Sequence, residues 1–324
     1  MTRYVIRRLL EAIPLLLIIS ILVFAMTNAL PSGLMGAYES NPNITKEDLV
    51  RLQEQLGLNT PVHIKYINWL NNIVHGDLGY SLVERRPVVD MLKERLPNTL
   101  YLGFTAFIVS LLIAIPLGIL AAKKQYSIFD HIATTFAFMG QSIPIFWLGL
   151  LLIIVFNVYL KNPFTGKSLF PGGGMYTIGA PFSVTDRLWY LVLPVTMLAL
   201  VQVAVYMRYL RSSMLDVIHQ DYIRTARAKG LREDAVTNRH ALKNALLPLV
   251  TIIGLEISAL VVGAVFTETI FSWPGMGRLF VNSAALGDYN VLMAIIMLSA
   301  IFVIGFNLVT DVAYAFLDPR IQYQ

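Results

Sequence analysis

The sequence predicts an all-α integral membrane protein with six transmembrane helices and both termini in the cytoplasm. Three observations lead there. Of 324 residues, 56% are apolar and only 14% are charged, against about 25% charged in an ordinary soluble domain. Mean hydropathy is +0.64, and a soluble chain of this size needs far more polar side chains to cover its outside. Lysine and arginine are also unevenly spread along the chain. A cytosolic enzyme is therefore disfavoured, and a disordered or collagen-like chain is excluded. The net charge of +5 is small for the length, and there is no cysteine, so disulfides, thiolate nucleophiles and cysteine-held metals are ruled out.

A membrane-crossing helix needs about 20 mostly apolar residues. That window finds spans running roughly from Ala12 to Leu30, Thr99 to Ala122, Ile132 to Leu160, Leu188 to Met207, Ala245 to Phe271 and Val291 to Leu317. The first follows Arg3, Arg7 and Arg8 as a signal peptide would. Its apolar core outruns a signal sequence, so the expectation is an uncleaved anchor. The third holds Pro144 inside it, which implies a kink, tilt or break near Gln141-Ser142-Ile143-Pro144.

Orientation follows from the cations. With the N-terminus inside, fourteen lysines and arginines fall on cytoplasmic segments and four on the third and fifth loops outside. The remaining seven lie in the first loop, 31–98, which is long enough to be translocated largely regardless of charge. The expected organisation is an anchor over 1–30, an extracytoplasmic helical loop over 31–98, a core over 99–317 with a charged loop at 208–245, and a cytoplasmic tail over 318–324.

The first outer loop reads as three short amphipathic helices. Thr45 and Asp48 make a capping-box pattern ahead of Leu49, Leu52 and Leu56, with Gly57 as terminator. Thr60-Pro61 opens a second helix carrying Tyr66, Trp69, Leu70 and Ile73 on one side. Pro87 opens a third that ends before Pro97. Their apolar faces either pack on the bundle or lie in the lipid interface. The third loop, with Pro171-Gly172-Gly173-Gly174 and Pro181, is too rich in turn formers for long helices.

The fourth loop, about Arg208 to Asn244, is the most informative. Good helix formers run from Asp221, placed as a cap, to Lys229, and Gly230 offers a stop. A second helical stretch, Glu233 to Ala245, leads into the fifth span. A short helix held off the membrane between turns, with small residues on one side, suits a groove on a partner protein. The plainer alternative is a solvated basic loop touching anionic lipid.

At this loop the sequence resembles a known family. Thr225-Ala226-Arg227-Ala228-Lys229-Gly230, followed by Arg239-His240-Ala241-Leu242-Lys243-Asn244-Ala245-Leu246-Leu247-Pro248, resembles the EAA loop of ABC importer permeases. The glutamate that names the loop is missing, a departure common in the oligopeptide and dipeptide branch. Further segments resemble that branch in the same order: Leu56-Gly57-Leu58 with Pro61, His75-Gly76-Asp77-Leu78-Gly79, Arg95-Leu96-Pro97-Asn98-Thr99, and Ser142-Ile143-Pro144-Ile145-Phe146-Trp147-Leu148-Gly149. They continue with Glu268-Thr269-Ile270-Phe271-Ser272-Trp273-Pro274-Gly275-Met276-Gly277-Arg278 and Asp318-Pro319-Arg320. The chain looks like the first of two permeases of a peptide importer, the one with a large outer loop after span one.

The resemblance implies a type I ABC importer permease fold in a bacterial or archaeal inner membrane. It implies a second homologous permease, two ABC ATPase subunits and an extracytoplasmic peptide-binding protein as partners, besides membrane lipid and with no nucleic acid. ATP and Mg would be bound by the ATPases, leaving this chain without cofactor or catalysis. The coupling helix would run from Asp221 to Leu231, with Asp221, Tyr222, Thr225, Ala226, Arg227, Ala228, Lys229, Gly230, Leu231 and His240 docking the ATPase. Related systems carry dipeptides, longer peptides, glutathione or metal chelates.

Other chemistry is poorly supplied. Gly166-Lys167-Ser168 resembles the end of a phosphate loop, but the position five residues before Gly166 is Lys161 rather than glycine. His63, His75, His131, His219 and His240 form no paired metal spacing. Glu256 is the deepest ionisable residue. It either binds a peptide's amino terminus or hydrogen-bonds a neighbouring helix as a buried acid, and in a self-contained secondary transporter it would be the coupling residue. Glu268 suits a structural pairing with Arg278, and Glu11 sits one turn from Arg7. Gln141, Ser142, Asn157, Gln202 and Asn307 are neutral candidates for the pathway lining, or interhelical hydrogen-bonders. Metal ligands and an intramembrane active site are not expected.

Overall fold

The computed structural model describes residues 2–29, 60–81, 83–260 and 264–317. The outer-loop helix expected over Thr45–Gly57 and the closing Asp318-Pro319-Arg320 lie outside the described residues. The chain opens with α1 (Thr2–Ala29), then α2 (Val62–Val74), a hairpin of β1 (Tyr80–Ser81) and β2 (Arg86–Pro87), and α3 (Val88–Lys123). Tyr80 stands opposite Pro87 and Ser81 opposite Arg86 in the antiparallel hairpin. Next come α4 (Ile128–Ser142) and α5 (Ile145–Ile153), which continues into a π-helical turn, Ile154–Tyr159. The remainder is α6 (Val184–Ile218), α7 (Asp221–Ala228), α8 (Leu242–Leu260), α9 (Val265–Ile270), α10 (Met276–Leu286) and α11 (Tyr289–Leu317).

Among the described residues, α1, α3, α6 and α11 are long and apolar enough to cross a membrane. The pair α4 and α5 makes a fifth if a bent pair counts as one span; the two are inclined at 102° about the break at Ile143-Pro144. Pro144 has no N–H to continue α4, and the residue before a proline is pushed to extended backbone; Ile143 sits at φ −77° and ψ 125°. Of the kink, tilt or break expected here, the break is the one formed. The expected fifth span, 245–271, falls on α8 and α9, with 261–263 between them outside the described residues.

The centre of the fold is the pair α3 and α6. One face of α3 buries Gly103, Ala106, Ser110, Ala114, Gly118 and Ala121, small residues spaced three or four apart. Small side chains let backbones come close and give dispersion contact where no hydrophobic drive exists between helices. A Cβ on Gly118 would lie 3.1 Å from both the Cβ of Leu210 and the carbonyl oxygen of Met207. Leu102 shares a cluster with Leu191 and Val195, while Ala114 shares one with Met207 and Leu210. Position therefore advances the same way along both helices, and they run parallel.

Three expectations are corrected by this core. The helix opened by Pro87 does not end before Pro97 but runs through it as α3. A proline costs one i→i−4 bond, and the carbonyl it frees belongs to Lys93, which is exposed. The fourth span does not end at Met207, and the charged loop does not start at Arg208, because α6 continues to Ile218. Leu210 and Met214 keep its buried face going, while the arginine heads find company at the side, as long cationic stems allow. Arg211 makes a two-pronged ion pair with Asp130 at 2.6 Å from each nitrogen, and the Arg208 guanidinium lies over the Phe138 and Tyr209 rings. Asp221 is not the cap of the following helix but its first residue, with Gln220 at the N-cap.

At the same end of the bundle, Arg8 pairs with Asp311 at 3.1 Å, the Tyr4 hydroxyl donates to Asp311 at 2.9 Å, and Arg7 meets Glu11 at 3.0 Å. At the other end, α2 lies on α1. Tyr66 and Trp69 place their rings 5.4 and 5.5 Å from Phe24, and the hydroxyls of Tyr66 and Ser20 are 2.8 Å apart. Of the two alternatives for this amphipathic face, packing on the bundle is the one realised.

Candidate functional site

The charged loop after α6 folds as the sequence spacing requires. Gln220 is extended, at φ −74° and ψ 150°, and its carbonyl accepts the first two helical amides, from Ile223 at 3.0 Å and Arg224 at 3.2 Å. Asp221 puts a negative charge at the positive end of the α7 dipole. The helix stops at Ala228 rather than Leu231. Gly230 takes φ +77°, the left-handed backbone that glycine reaches without steric cost. The Leu231 amide then turns back to the Ala226 carbonyl at 3.4 Å.

Two side chains anchor α7. Ile223 is fully buried and Ala226 nearly so, three residues apart and hence on one face. They join a cluster with Leu210 and Met214 of α6 and with Val236 and Ala241. Burying the isoleucine alone stabilises the contact by about 2 kcal/mol. The outer surface carries Asp221, Tyr222, Arg224, Thr225, Arg227, Ala228, Lys229, Gly230 and Leu231, all exposed. His240 is half-buried on the π-helical turn Val236–Ala241.

Polar contacts brace the loop without covering that surface. Arg227 donates twice to Glu233, Nη2 to Oε1 at 2.7 Å and Nε to Oε2 at 3.1 Å. The hydrogen bonds from Arg227 hold the Glu233 carboxyl below its ordinary range. Asn244 donates to the Tyr222 hydroxyl at 2.7 Å, and Lys123 at the end of α3 meets Asp234 at 3.1 Å. The result is a short helix fixed to α6 through one apolar face and presented outward on the other.

A second constellation lies at the opposite end of the bundle. Glu268 on α9 is fully buried. Its Oε1 accepts from the Thr99 hydroxyl at 2.7 Å, and its Oε2 from the Arg278 amide at 3.1 Å. The carboxyl thereby occupies the N-terminus of α10, where free amides and the helix dipole both favour an anion. Gly275 makes room for it: a Cβ there would stand 2.4 Å from the carboxyl carbon. The expected pairing of Glu268 with the Arg278 side chain is not formed. That guanidinium donates instead to the Ser272 carbonyl at 2.6 Å, because the Arg278 backbone already fills the carboxyl. Asn98 completes the joint, its carbonyl accepting from the Trp273 indole at 3.0 Å and its amide donating to the Pro274 carbonyl at 2.9 Å.

The polar pathway candidates are spread rather than gathered. Gln141 and Ser142 are exposed at the break after α4, with the Ser142 hydroxyl donating to the Phe138 carbonyl. Asn157 donates to the Phe170 carbonyl at 2.8 Å, tying down the third loop. Gln202 keeps a buried side-chain oxygen without a partner, and Asn307 is exposed on α11. Glu256 shares a helical face with the buried Ala245 and Leu249, and the Tyr206 hydroxyl donates to it across 3.5 Å. That contact bridges α6 and α8. Among the described residues no three His, Asp or Glu side chains converge as metal ligands would.

Residues 114–323 match the family described as binding-protein-dependent transport system inner membrane component. Residues 1–103 match the N-terminal segment described for the same systems. The chain is 46% identical to the oligopeptide transport system permease protein AppB of Bacillus subtilis, over all of both chains. It is 38% identical to the dipeptide transport system permease protein DppB of Escherichia coli K12 and 39% identical to the glutathione transport system permease protein GsiC of Escherichia coli O6:H1, again over all of both chains. Among solved structures, a chain of the inward facing MetNI methionine ABC transporter superposes with a TM-score of 0.54 at 17% identity, covering 70% of this chain and 96% of that one. At that identity the likeness is one of fold.

Proposed function

The chain belongs to the family of binding-protein-dependent transport system inner membrane components, and from that premise we propose that it is a permease subunit that takes up di- or oligopeptides. A second homologous permease completes the pathway, two ABC ATPases dock on the cytoplasmic side, and an extracytoplasmic binding protein delivers the cargo. Both termini are cytoplasmic. ATP and Mg are handled by the ATPases, and this chain does no chemistry of its own.

The observation that carries the reading is the build of α7. Ile223 and Ala226 fix it to the α6 cluster while the face bearing Tyr222, Arg224, Thr225 and Lys229 stays open. A helix anchored that way transmits a push from a partner into α6 instead of absorbing it. ATP-driven approach of the ATPases then moves the docked loops together and switches the bundle between inward-open and outward-facing packings. Binding-protein docking favours the same state, as any ligand that stimulates the cycle must. Gln141, Ser142, Gln202, Glu256 and Asn307 supply the polar groups of the pathway.

Because the chain has no cysteine, a single Thr225→Cys change makes a clean probe. In vesicles carrying the whole transporter, a short bifunctional reagent should join it to an ATPase subunit, and ATP should alter the yield. No adduct from Thr225→Cys or Lys229→Cys in an assembled, active complex would overturn the docking assignment. A second reading concerns cargo alone: the 39% identity to a glutathione permease favours glutathione, a modified tripeptide, as a competitor. Uptake of labelled dipeptide, pentapeptide and glutathione through one complex separates the two.

A further inference from the structure

Between α3, α4 and α6 the molecule holds a cavity of about 180 Å³, lined by Leu117, Ile132, Phe136, Ala137, Val203, Met207 and their neighbours without a polar atom. It opens sideways, for Ile132 and Phe136 on its rim are exposed. Beside it stands a cation that no acid neutralises among the described residues. Ala204 lines the cavity, and Arg208 follows one turn later on the same face of α6. Side chains on a helix lean toward its N-terminus, so the arginine reaches back toward the cavity. Its guanidinium accordingly lies 5.9 Å from the ring centre of Phe138, next in sequence to the lining residue Ala137.

Among the described residues no carboxylate pairs with Arg208. The one acid of α4, Asp130, is consumed by the two-pronged bond from Arg211 and by the Tyr126 amide. Phe138 and Tyr209 set their ring centres 5.9 and 5.7 Å from the guanidinium carbon, and among the described residues none of its N–H groups has a hydrogen-bond partner, so they are open to donate. A dry groove open to the side and a preorganised donor fork share one stretch of a membrane-crossing helix. Chain and head of one molecule fit them together, and an apolar protein segment would leave the fork unanswered.

We infer that this groove is a binding site for one anionic phospholipid, with an acyl chain in the cavity and the phosphate of the headgroup on Arg208. Net negative charge distinguishes its lipid from a zwitterionic one, whose own ammonium competes for the same phosphate. Arginine suits the task because its planar fork matches two phosphate oxygens at once.

The test uses the whole transporter in nanodiscs of equal dioleoyl phosphatidylglycerol and dioleoyl phosphatidylcholine, transferred to detergent, with retained lipid counted by mass spectrometry. The wild-type complex should hold phosphatidylglycerol over phosphatidylcholine by about tenfold, the size expected of a charge-assisted contact. Arg208→Gln should bring the ratio close to one while some lipid remains. Arg208→Lys should keep part of the preference, and Ala137→Phe, which fills the groove, should release both lipids. Thermal denaturation of each variant checks that it folds, and Ala133→Leu serves as a milder filling if Ala137→Phe does not. Equal retention of both lipids by the wild type, or a preference that survives Arg208→Gln, overturns the proposal. So does release of phosphatidylglycerol by millimolar inorganic phosphate, which marks a free-anion site. Retention by the lone chain but not by the assembled transporter also overturns it, since a second permease would then cover the groove.

Discussion

Thr99 gives its hydroxyl proton to Glu268 at 2.7 Å and takes the Met276 amide proton on the same oxygen at 2.7 Å. One buried hydroxyl thus joins α3 to both sides of the turn between α9 and α10. Its removal leaves a buried carboxyl and a buried amide each one partner short.

Thr99→Val should therefore destabilise the detergent-solubilised complex by about 2 kcal/mol, the usual cost of orphaned buried groups, while Thr99→Ser stays close to the wild type. Thermal denaturation of the three proteins side by side checks it. If valine and serine behave alike, the hydroxyl is not what holds the joint.

Gly230 separates backbone strain from partner contact. A Cβ on it meets nothing within 4 Å, yet its φ is +77°. Gly230→Ala should cost about 1 kcal/mol of local stability and leave ATPase binding measurable. Gly230→Trp puts bulk where this chain has empty space, so it should lower ATPase binding and peptide uptake well beyond alanine with the spans intact. Uptake and co-purification of the ATPase read the outcome; survival of both with tryptophan would displace the docking surface from this loop.

The brace between Arg227 and Glu233 should respond to acid. The Glu233 carboxyl sits below its ordinary value of 4.5, chiefly through the Arg227 hydrogen bonds. A depressed carboxyl contributes its stability in full above the unfolded value and loses it as pH falls through the lower, folded one. Hydrogen exchange of 221–230 should therefore be unchanged between pH 8 and 6, after correction for intrinsic rates, and should speed up below about 4.5. Glu233→Gln should show the fast exchange at every pH. The pair is open to solvent, so the effect is confined to this loop.

Asp130 is 2% exposed and carries both nitrogens of Arg211. Asp130→Asn should cost about 3 kcal/mol by leaving the guanidinium half-buried and unpaired. Replacing both, Asp130→Leu with Arg211→Met, should recover much of the loss. A double-mutant cycle on thermal denaturation measures the coupling, and additive losses would show that the two residues act separately.

What could be read in the sequence was mostly local. The α7 helix and its stop followed from Asp221, a run of helix formers and Gly230, each acting through its own backbone. The break in the third span followed from Pro144. The misreadings came where distant residues decide. Arg208 and Arg211 look like loop in a line of text, yet Phe138 and Asp130 accommodate them beside a helix that continues to Ile218. Pro97 looks like a stop, but α3 carries on through it, and the residue whose carbonyl loses a partner, Lys93, is exposed. Sequence proximity pairs Glu268 with the Arg278 side chain, whereas its donors are a backbone amide ten residues on and a hydroxyl 169 residues back. The sequence also carries one further local signal. Gly103, Ala106, Ser110, Ala114 and Gly118 recur at the spacing of one helical face and mark where α6 packs.

The parallel run of α3 against α6 also sets how the molecule can bend. With 35 residues, α6 is about 52 Å long at 1.5 Å per residue. Along much of that length its side chains seat between small residues of α3, so neither helix can slide or flex alone without unseating them. Moving together, the two can be treated as one beam pivoting about the middle of α6. A tilt of about ten degrees there swings each tip by roughly 4 to 5 Å in opposite directions, the arithmetic of a rod that size. In such a pivot, motion delivered beside Ile223 at one tip would reach Leu191 and Trp273 at the other with its sense reversed.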